Sequence, residues 1–317
     1  MDEFEIIRRF FVRSSDDESV LLGINDDGAV LSPAADREIV CVVDTIVDGV
    51  HYPAGFPAAD IGFRAVEVNL SDIAAMGGRP RWMTLALTLS QSDEEWLGEF
   101  AKGLFESAAA HDVSLVGGDT TRGQQTVVSV QVIGDVTAAT YITRAGATAG
   151  DHIFVTGTPG DAAGGLALLQ DGNDDSADAR YLIQRFSRPT ARVAFGAAIA
   201  GFASAAIDLS DGLFGDAQKL LTASEAGARL DLDRLPLSAP LRRVFGDERA
   251  LQFALGGGDD YELCFTAHSR HEAKIQAIGE KWGLPVTRIG QVESGSQLIC
   301  HRNGQEVEFE SGGYKHF

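Results

Sequence analysis

Short apolar runs alternate with longer amphipathic segments along the chain. Seven runs have the length and composition of strands: Ile39–Val43, Met83–Leu89, Thr126–Ile133, Ile153–Val155, Ser204–Ile207, Gln252–Leu255 and Glu262–Thr266. Between them, Asp60–Ala75 places Ile61, Ala65, Val68 and Ile73 on one helical stripe. Asp93–His111 follows Ser92, a candidate N-cap with Glu95 as its capping-box partner. Further helices are predicted over Thr190–Ala200 and Gly215–Ser224. The longest apolar run, Val193–Ile207, is too short to span a bilayer and reads as a packed helix rich in Ala and Gly. Alternating elements of this kind build α/β or α+β layers. The Gly-rich stretch RAGATAGD (Arg144–Asp151) precedes a fresh strand, HIFVTG. Two domains are expected, residues 1–147 and 148–317.

Composition narrows the function. The 317 residues carry 46 acids against 26 Lys and Arg, a formal charge of −20. Nucleic-acid binding requires a cationic surface, and so does docking on anionic lipid, so neither partner is expected. The three cysteines, Cys41, Cys264 and Cys300, are far apart and read as small buried hydrophobes in a reducing compartment. The segment MDEFEIIRRFF lacks a signal-peptide core, which points to the cytoplasm.

The informative feature is where the aspartates stand. Asp26 and Asp27 sit in GINDDGAV, Asp44 follows IVCVV, Asp72 lies in VNLSDIAAMGG, and Asp119 follows SLVGG. Asp208 and Asp211 lie in AAIDLSDG, and Asp259 and Asp260 in LGGGDDYELCF. Each follows an apolar stretch and most touch a glycine. Ligands of open α/β sheets bind at strand carboxyl ends, so these positions are candidates for one crevice. Grouped carboxylates need cations to neutralise them, and an all-oxygen donor set selects a hard cation such as Mg²⁺. Magnesium of this kind accompanies phosphate groups. There is a weak echo: LSD precedes GGD by similar intervals in both halves, Asp72 to Asp119 and Asp211 to Asp259, which either two similar halves or chance recurrence of short motifs would give.

Absences exclude other chemistry. There is no P-loop, no G-x-G-x-x-G after a strand, no G-x-S-x-G and no H-E-x-x-H. None of the five lysines lies within the acidic motifs, so metal ions would have to carry the neutralisation of any transferred phosphoryl group. The turn TGTPGD (Thr156–Asp161) opens a helix-like segment. Its backbone N–H groups suit either a plain tight turn or a phosphate.

In order, GINDDGAV, VVDT, DGVH, NLSDIAAMG, GGDTTRG, TRAG, VTGTPGD, IDLSDG, GGDDYELCF and GGYKHF resemble the motifs of the thiamine-monophosphate kinases. The resemblance covers nearly the whole chain. It implies a two-domain fold shared with aminoimidazole ribonucleotide synthetase: an N-terminal sheet contributing to a barrel at a homodimer interface, and a C-terminal α/β domain. It implies transfer of a phosphoryl group from ATP to thiamine monophosphate, with several Mg²⁺ ions. By motif position, Asp27, Asp44, Thr45, Asp72, Asp119, Asp208 and Asp211 correspond to metal ligands, with Asp72, Asp119, Asp208 and Asp211 central to catalysis. Gly118, Asp119, Arg144 and Ser210 correspond to ATP contacts, and His51, Asp259 and Tyr314 to the thiamine-phosphate pocket. Three departures from the family pattern stand out. Val42 and Val43 replace hydroxyl residues, Asp259 stands where Glu is more frequent, and Asn25 replaces a glycine.

Such a reaction is in-line phosphoryl transfer through a loose transition state. The acceptor is a phosphate oxygen, already anionic at neutral pH, so no general base is required. Arg144 or Arg122 would add a bidentate phosphate contact. Two other classes fit the acidic motifs less fully: an ATP-dependent enzyme of the same scaffold with a different acceptor, and a non-catalytic binder of Mg²⁺ or nucleotide.

Overall fold

The computed structural model describes residues 1–13, 17–24, 28–172 and 175–309. Asp27 and Tyr314 therefore lie outside the described residues, together with Asn25, Asp26 and the rest of GGYKHF. The chain divides into two compact units, Met1–Ile73 with Gly78–Ala139, and Ala74–Gly77 with Thr140–Phe317.

The first unit begins with α1 (Glu3–Ile6), β1 (Val20–Leu22) and β2 (Val30–Leu31). It continues with β3 (Arg37–Val47), α2 (Ala58–Ala75), β4 (Arg79–Leu89), α3 (Glu94–Ala110), β5 (Ser114–Arg122) and β6 (Val127–Thr137). The sheet order is β3-β6-β4-β5, antiparallel except between β4 and β5. Period-two alternation decides which way each strand faces. Val40 and Ile46 of β3, Val128, Val130 and Val132 of β6, and Leu85 and Leu87 of β4 are buried on one face. On the other face of β3, Ile39 and Val43 are 45% and 62% exposed. Helices α2 and α3 pack backbone to backbone, because a side chain at Gly62 would strike the Phe100 carbonyl and one at Gly103 the Ala59 carbonyl. The N-cap of α3 is Asp93, whose carboxylate accepts from Trp96 N–H at 3.0 Å, and not the expected Ser92. A carboxylate at the positive end of a helix gains from the dipole as well as from the bond.

The second unit holds β7 (His152–Thr156), α4 (Asp161–Asp171), α5 (Ala177–Ser187), α6 (Val193–Ile199), β8 (Ala203–Asp208), α7 (Leu213–Ala223) and β9 (Gly227–Asp231). After these come α8 (Ala239–Gly256), β10 (Leu263–Ala267), α9 (Glu272–Lys281), β11 (Val286–Glu293), β12 (Leu298–Arg302) and β13 (Gln305–Val307). Its strands form one sheet in the order β13-β12-β9-β11-β7-β10-β8. Ile153, Val155, Ile207 and Cys264 pack with Leu213, Leu220 and Leu221 of α7. Phe154, Ala206 and Phe265 pack with Phe195 and Ile199 of α6 and Ile275 of α9. A strand buried on both faces is apolar throughout, so β7, β8 and β10 stand out in the sequence.

Three expectations are corrected here. Gln252–Leu255 is the last turn of α8, because a four-residue apolar run carries no period of its own and its helical neighbours decide. The run Val193–Ile207 is not one helix: α6 ends at Ile199 and β8 starts at Ala203. Cys264 and Cys300 are buried as expected, but Cys41 is exposed, on the same face of β3 as Ile39 and Val43.

Candidate active site

In the first unit, Asp44 is not at the end of a strand but three residues inside β3. That strand is an edge. Its Asp44 N–H donates to Asn69 Oδ1 at 2.9 Å, and Asn69 Nδ2 donates to the Ala65 carbonyl at 3.0 Å within α2. The fully buried Asn69 thus ties α2 to the strand edge at the position of the candidate ligand. Asp72 follows three residues later, on the same face of the helix, so α2 carries Asp72 toward the side of β3 where Asn69 holds Asp44. The aspartate of NLSD is thus helical, whereas that of DLSD lies beyond a strand end. The two halves of the sequence echo do not share a local structure.

The sheet register sets Thr45, Ser129, Ala86 and Asp119 in one row across β3, β6, β4 and β5, and Asp44, Val130, Leu85 and Gly118 in the next. Thr45 Oγ1 and Ser129 Oγ are 2.7 Å apart. Gly118 has a structural reason beside any role toward nucleotide: a side chain there would run into the Leu85 carbonyl oxygen. Gly118 and Asp119 line a cleft of about 520 Å³ with Phe4, Phe11, Ile24 and Gly28. His51 closes a turn after β3. Its Nδ1 accepts from Val47 N–H at 3.1 Å, which leaves the ring proton of the neutral form on Nε2.

The donors in this unit are oxygens throughout, which fits a hard cation. Among the described residues, no three His, Cys, Asp or Glu converge on one point that a metal could occupy. The reason is the sheet. Asp44 and Asp119 stand on its two opposite edge strands, three strand spacings or about 14 Å apart. Magnesium keeps several waters and takes one or two carboxylates plus substrate phosphates. The arrangement therefore fits separate cations at separate carboxylates, not a closed protein cage.

In the second unit, Asp208 is the last residue of β8 and is 5% exposed. The loop after it is held from both sides. Asp259 N–H donates to the Ser210 carbonyl and Tyr261 N–H to the Leu209 carbonyl, each at 2.9 Å. Ser210 N–H and Asp211 N–H both donate to Asp216 Oδ2, at 3.1 and 3.0 Å. Ser210, Asp211 and Asp259 are thereby brought together. Asp259 sits at φ 71° and Tyr261 at φ 51°, and the Tyr261 hydroxyl donates to Asp259 Oδ1 at 3.1 Å. Non-glycine residues in this region are strained, and the strain is held by the paired backbone on either side. Asp259 also lines a cleft of about 660 Å³ with Arg249, Phe253 and Phe309. Arg144 is placed beside β8: the Thr143 carbonyl accepts from Ala206 N–H, two residues before Asp208, and the Arg144 side chain is exposed.

Lys219, Asp216 and Glu262 escaped the sequence reading, and Asp260 was expected at the crevice. Lys219 donates to Asp211 Oδ2 at 2.5 Å and to Asp216 Oδ1 at 2.9 Å, so one lysine does lie against an acidic motif. Eight residues separate Lys219 from Asp211; only the path of α7 brings them into contact. Burial pushes the Asp216 carboxyl above its ordinary range, opposed by Lys219. Asp260 is buried and accepts from Gly160 N–H at 2.6 Å and Ala162 N–H at 3.1 Å. The TGTPGD turn is therefore capped by the protein's own carboxylate, and these two N–H groups are not offered to a phosphate. Burial drives Asp260 well above the usual carboxylate range, against those two bonds. Glu262 has no exposed surface; burial would raise it, but Arg192 and Arg185 hold it below its ordinary value. In GGDDYE, then, Asp259 lines a cleft, and Asp260 and Glu262 anchor the loop.

Residues 25–136 match the AIR synthase related protein, N-terminal domain, and residues 148–302 match the C-terminal domain of the same group. With the mixed sheets and helices just described, the class is the two-domain AIR synthase-like fold. The chain is 44% identical over 320 residues to the thiamine-monophosphate kinase of Escherichia coli K12, covering 99% of this chain and 98% of that one. The crystal structure of thiamine-monophosphate kinase from Stenotrophomonas maltophilia K279a matches with a TM-score of 0.87 at 43% identity, over 92% of this chain and 93% of that one. The structure of AaThiL complexed with AMPPCP and TMP matches with a TM-score of 0.79 at 32% identity, over 90% and 89%. The chain belongs to the thiamine-monophosphate kinase family.

Proposed function

We propose that this protein transfers the γ-phosphoryl group of ATP to the phosphate of thiamine monophosphate, giving thiamine diphosphate and ADP. The observation that carries this reading is similarity to kinases of that name along 99% of the chain. Incubation with Mg-ATP and thiamine monophosphate tests it: formation of thiamine diphosphate with equimolar ADP is expected. ATP turnover only with another acceptor would point to a different enzyme of the same scaffold.

Asp44, Thr45, Asp72 and Asp119 in the first unit, and Asp208 and Asp211 in the second, are the residues we assign to Mg²⁺, with Asp27 added by motif position. When bound, Mg²⁺ neutralises the charge that would otherwise keep two phosphate esters apart. The chain's own contribution is positional. Asn69 fixes the backbone at Asp44, and Asp216 with loop 259–261 fixes Ser210 and Asp211. Gly118, Asp119, Arg144 and Ser210 are assigned to ATP; His51, Asp259 and Tyr314 are assigned to thiamine monophosphate. His51 is suited to donate from Nε2 to a phosphate oxygen, since its Nδ1 is already accepting. An anionic acceptor oxygen needs no general base, and none is assigned.

We further propose a cytoplasmic homodimer. Among the described residues, no helix is long and apolar enough to cross a membrane. The face of β3 that bears Ile39, Cys41 and Val43 is exposed in the single chain. Burial against the same face of a second copy would complete the barrel that the family resemblance implies.

A further inference from the structure

We propose that Asp216 is a positioning residue for the Ser210–Asp211 segment: its carboxylate sets the backbone that presents both residues to the magnesium–nucleotide substrate. The inference rests on the roles assigned to Ser210 and Asp211 above. Asp216 lies in the first turn of α7 and is 1% exposed, so its carboxylate has no access to a ligand of its own. A single oxygen, Oδ2, accepts from Ser210 N–H and Asp211 N–H, at 3.1 and 3.0 Å. The other oxygen accepts from Lys219, which also bonds the Asp211 carboxylate. One buried group thus fixes the Ser210–Asp211 backbone directly and the Asp211 side chain through Lys219. The carbonyls of Leu209 and Ser210 are taken by Tyr261 and Asp259, so Asp216 supplies the donor-side half of a segment clamped on both edges. Gly212, at φ 107°, lets the chain turn from that segment into the helix that carries Asp216. A buried carboxylate satisfied by site backbone is costly to keep unless it orders that backbone.

The test compares Asp216→Ala, Asp216→Asn and Asp151→Asn. Asparagine keeps one carbonyl oxygen able to accept both N–H groups; alanine keeps none. Asp151 is an equally buried carboxylate, 3% exposed, that bonds Thr148 and Ser204 and touches no assigned site residue, so it reports plain structural damage. Binding of AMPPCP is titrated by calorimetry at a series of Mg²⁺ concentrations, and KM for ATP and for thiamine monophosphate is measured beside it. Asp216→Ala is expected to raise the Mg²⁺ half-saturation by about 10- to 100-fold, the usual loss when support behind a ligand is removed. KM for ATP should rise with it, and KM for thiamine monophosphate should change little. Asp216→Asn should recover most of the loss, and Asp151→Asn should bind as the unmodified protein does. If Asp216→Ala does not fold, Asp216→Ser carries the same expectation, its hydroxyl being too short to reach both N–H groups. Unchanged Mg²⁺ dependence in the alanine or serine variant overturns the proposal. So does an asparagine variant as weak as alanine, or an equal shift in Asp151→Asn. Unmodified protein that binds Mg-AMPPCP but makes no thiamine diphosphate would defeat the proposed function and leave this inference standing. Failure to bind Mg-AMPPCP at all would defeat both.

Discussion

At the scale of single residues, the proposed site is a set of aspartates whose partners differ in kind. Asp72 is half-buried on a helix and Asp119 is exposed on an edge strand. Replacing either with Asn keeps size and hydrogen-bonding reach while removing the charge a cation needs. Turnover should fall by about a hundredfold or more in each variant, as for lost transition-state charge stabilisation. The thermal midpoint should stay close to that of the unmodified protein. Near-normal kcat in either variant at low Mg²⁺ would remove that residue from the site. These aspartates were legible because they follow apolar runs, Asp119 directly after a pair of glycines. Their supports were not. Nothing in NLSD says that Asn69 turns back to the Asp44 backbone, and nothing in IDLSDG points to Lys219. A hydrogen bond between residues 25 or 8 apart exists only after the elements carrying them have packed.

At the scale of elements, Glu262 ties β10 to α5 and to the start of α6. Its carboxylate takes Arg185 at 2.9 Å, Arg192 Nε at 2.7 Å and the Thr156 hydroxyl at 2.7 Å. Glu262→Gln would leave two guanidinium groups without their counter-charge, at a cost of about 3–5 kcal/mol at neutral pH. The sign with pH follows from the lowered value of Glu262. Its stabilisation is fully present above the unfolded value of about 4.5 and is lost as pH falls through the lower folded value. The gap in thermal midpoint between Glu262→Gln and the unmodified protein should hold from neutral pH to about 5 and narrow below it. A gap that stays constant into strong acid would mean that the ion pair is not its source. Long periodic elements such as α2 and α3, and the doubly buried strands β7, β8 and β10, were legible within a few residues. Gln252–Leu255 was not, because α8 is kinked at Gly246 and its last turn reads locally like a strand.

At the scale of the whole molecule, the charge of −20 means that the folded chain repels itself. Salt screens such repulsion, with a Debye length near 10 Å at 0.1 M. The thermal midpoint should therefore rise as NaCl is increased from about 0.02 to 0.2 M, and a fall would show that surface ion pairs outweigh the repulsion. The exposed face of β3 makes a separate prediction. Val43→Glu adds a charge to a position that is 62% exposed in the single chain. By light scattering the unmodified protein should be a dimer and the variant a monomer; two dimers would move the interface elsewhere, and two monomers would defeat the proposed dimer.

The sequence by itself determined the layer type, the order of the motifs and the family, because these depend on residue type and short-range period. Only the tertiary structure decided what surrounds each carboxylate. Asp259 and Asp260 are neighbours in GGDD, yet one lines a cleft and the other is spent capping α4. The same holds for Asp44 and Asp119, which read alike in the chain and stand on opposite edges of a sheet. Desolvation, hydrogen-bond satisfaction and distance are properties of packed neighbours, and a one-dimensional pattern does not contain them.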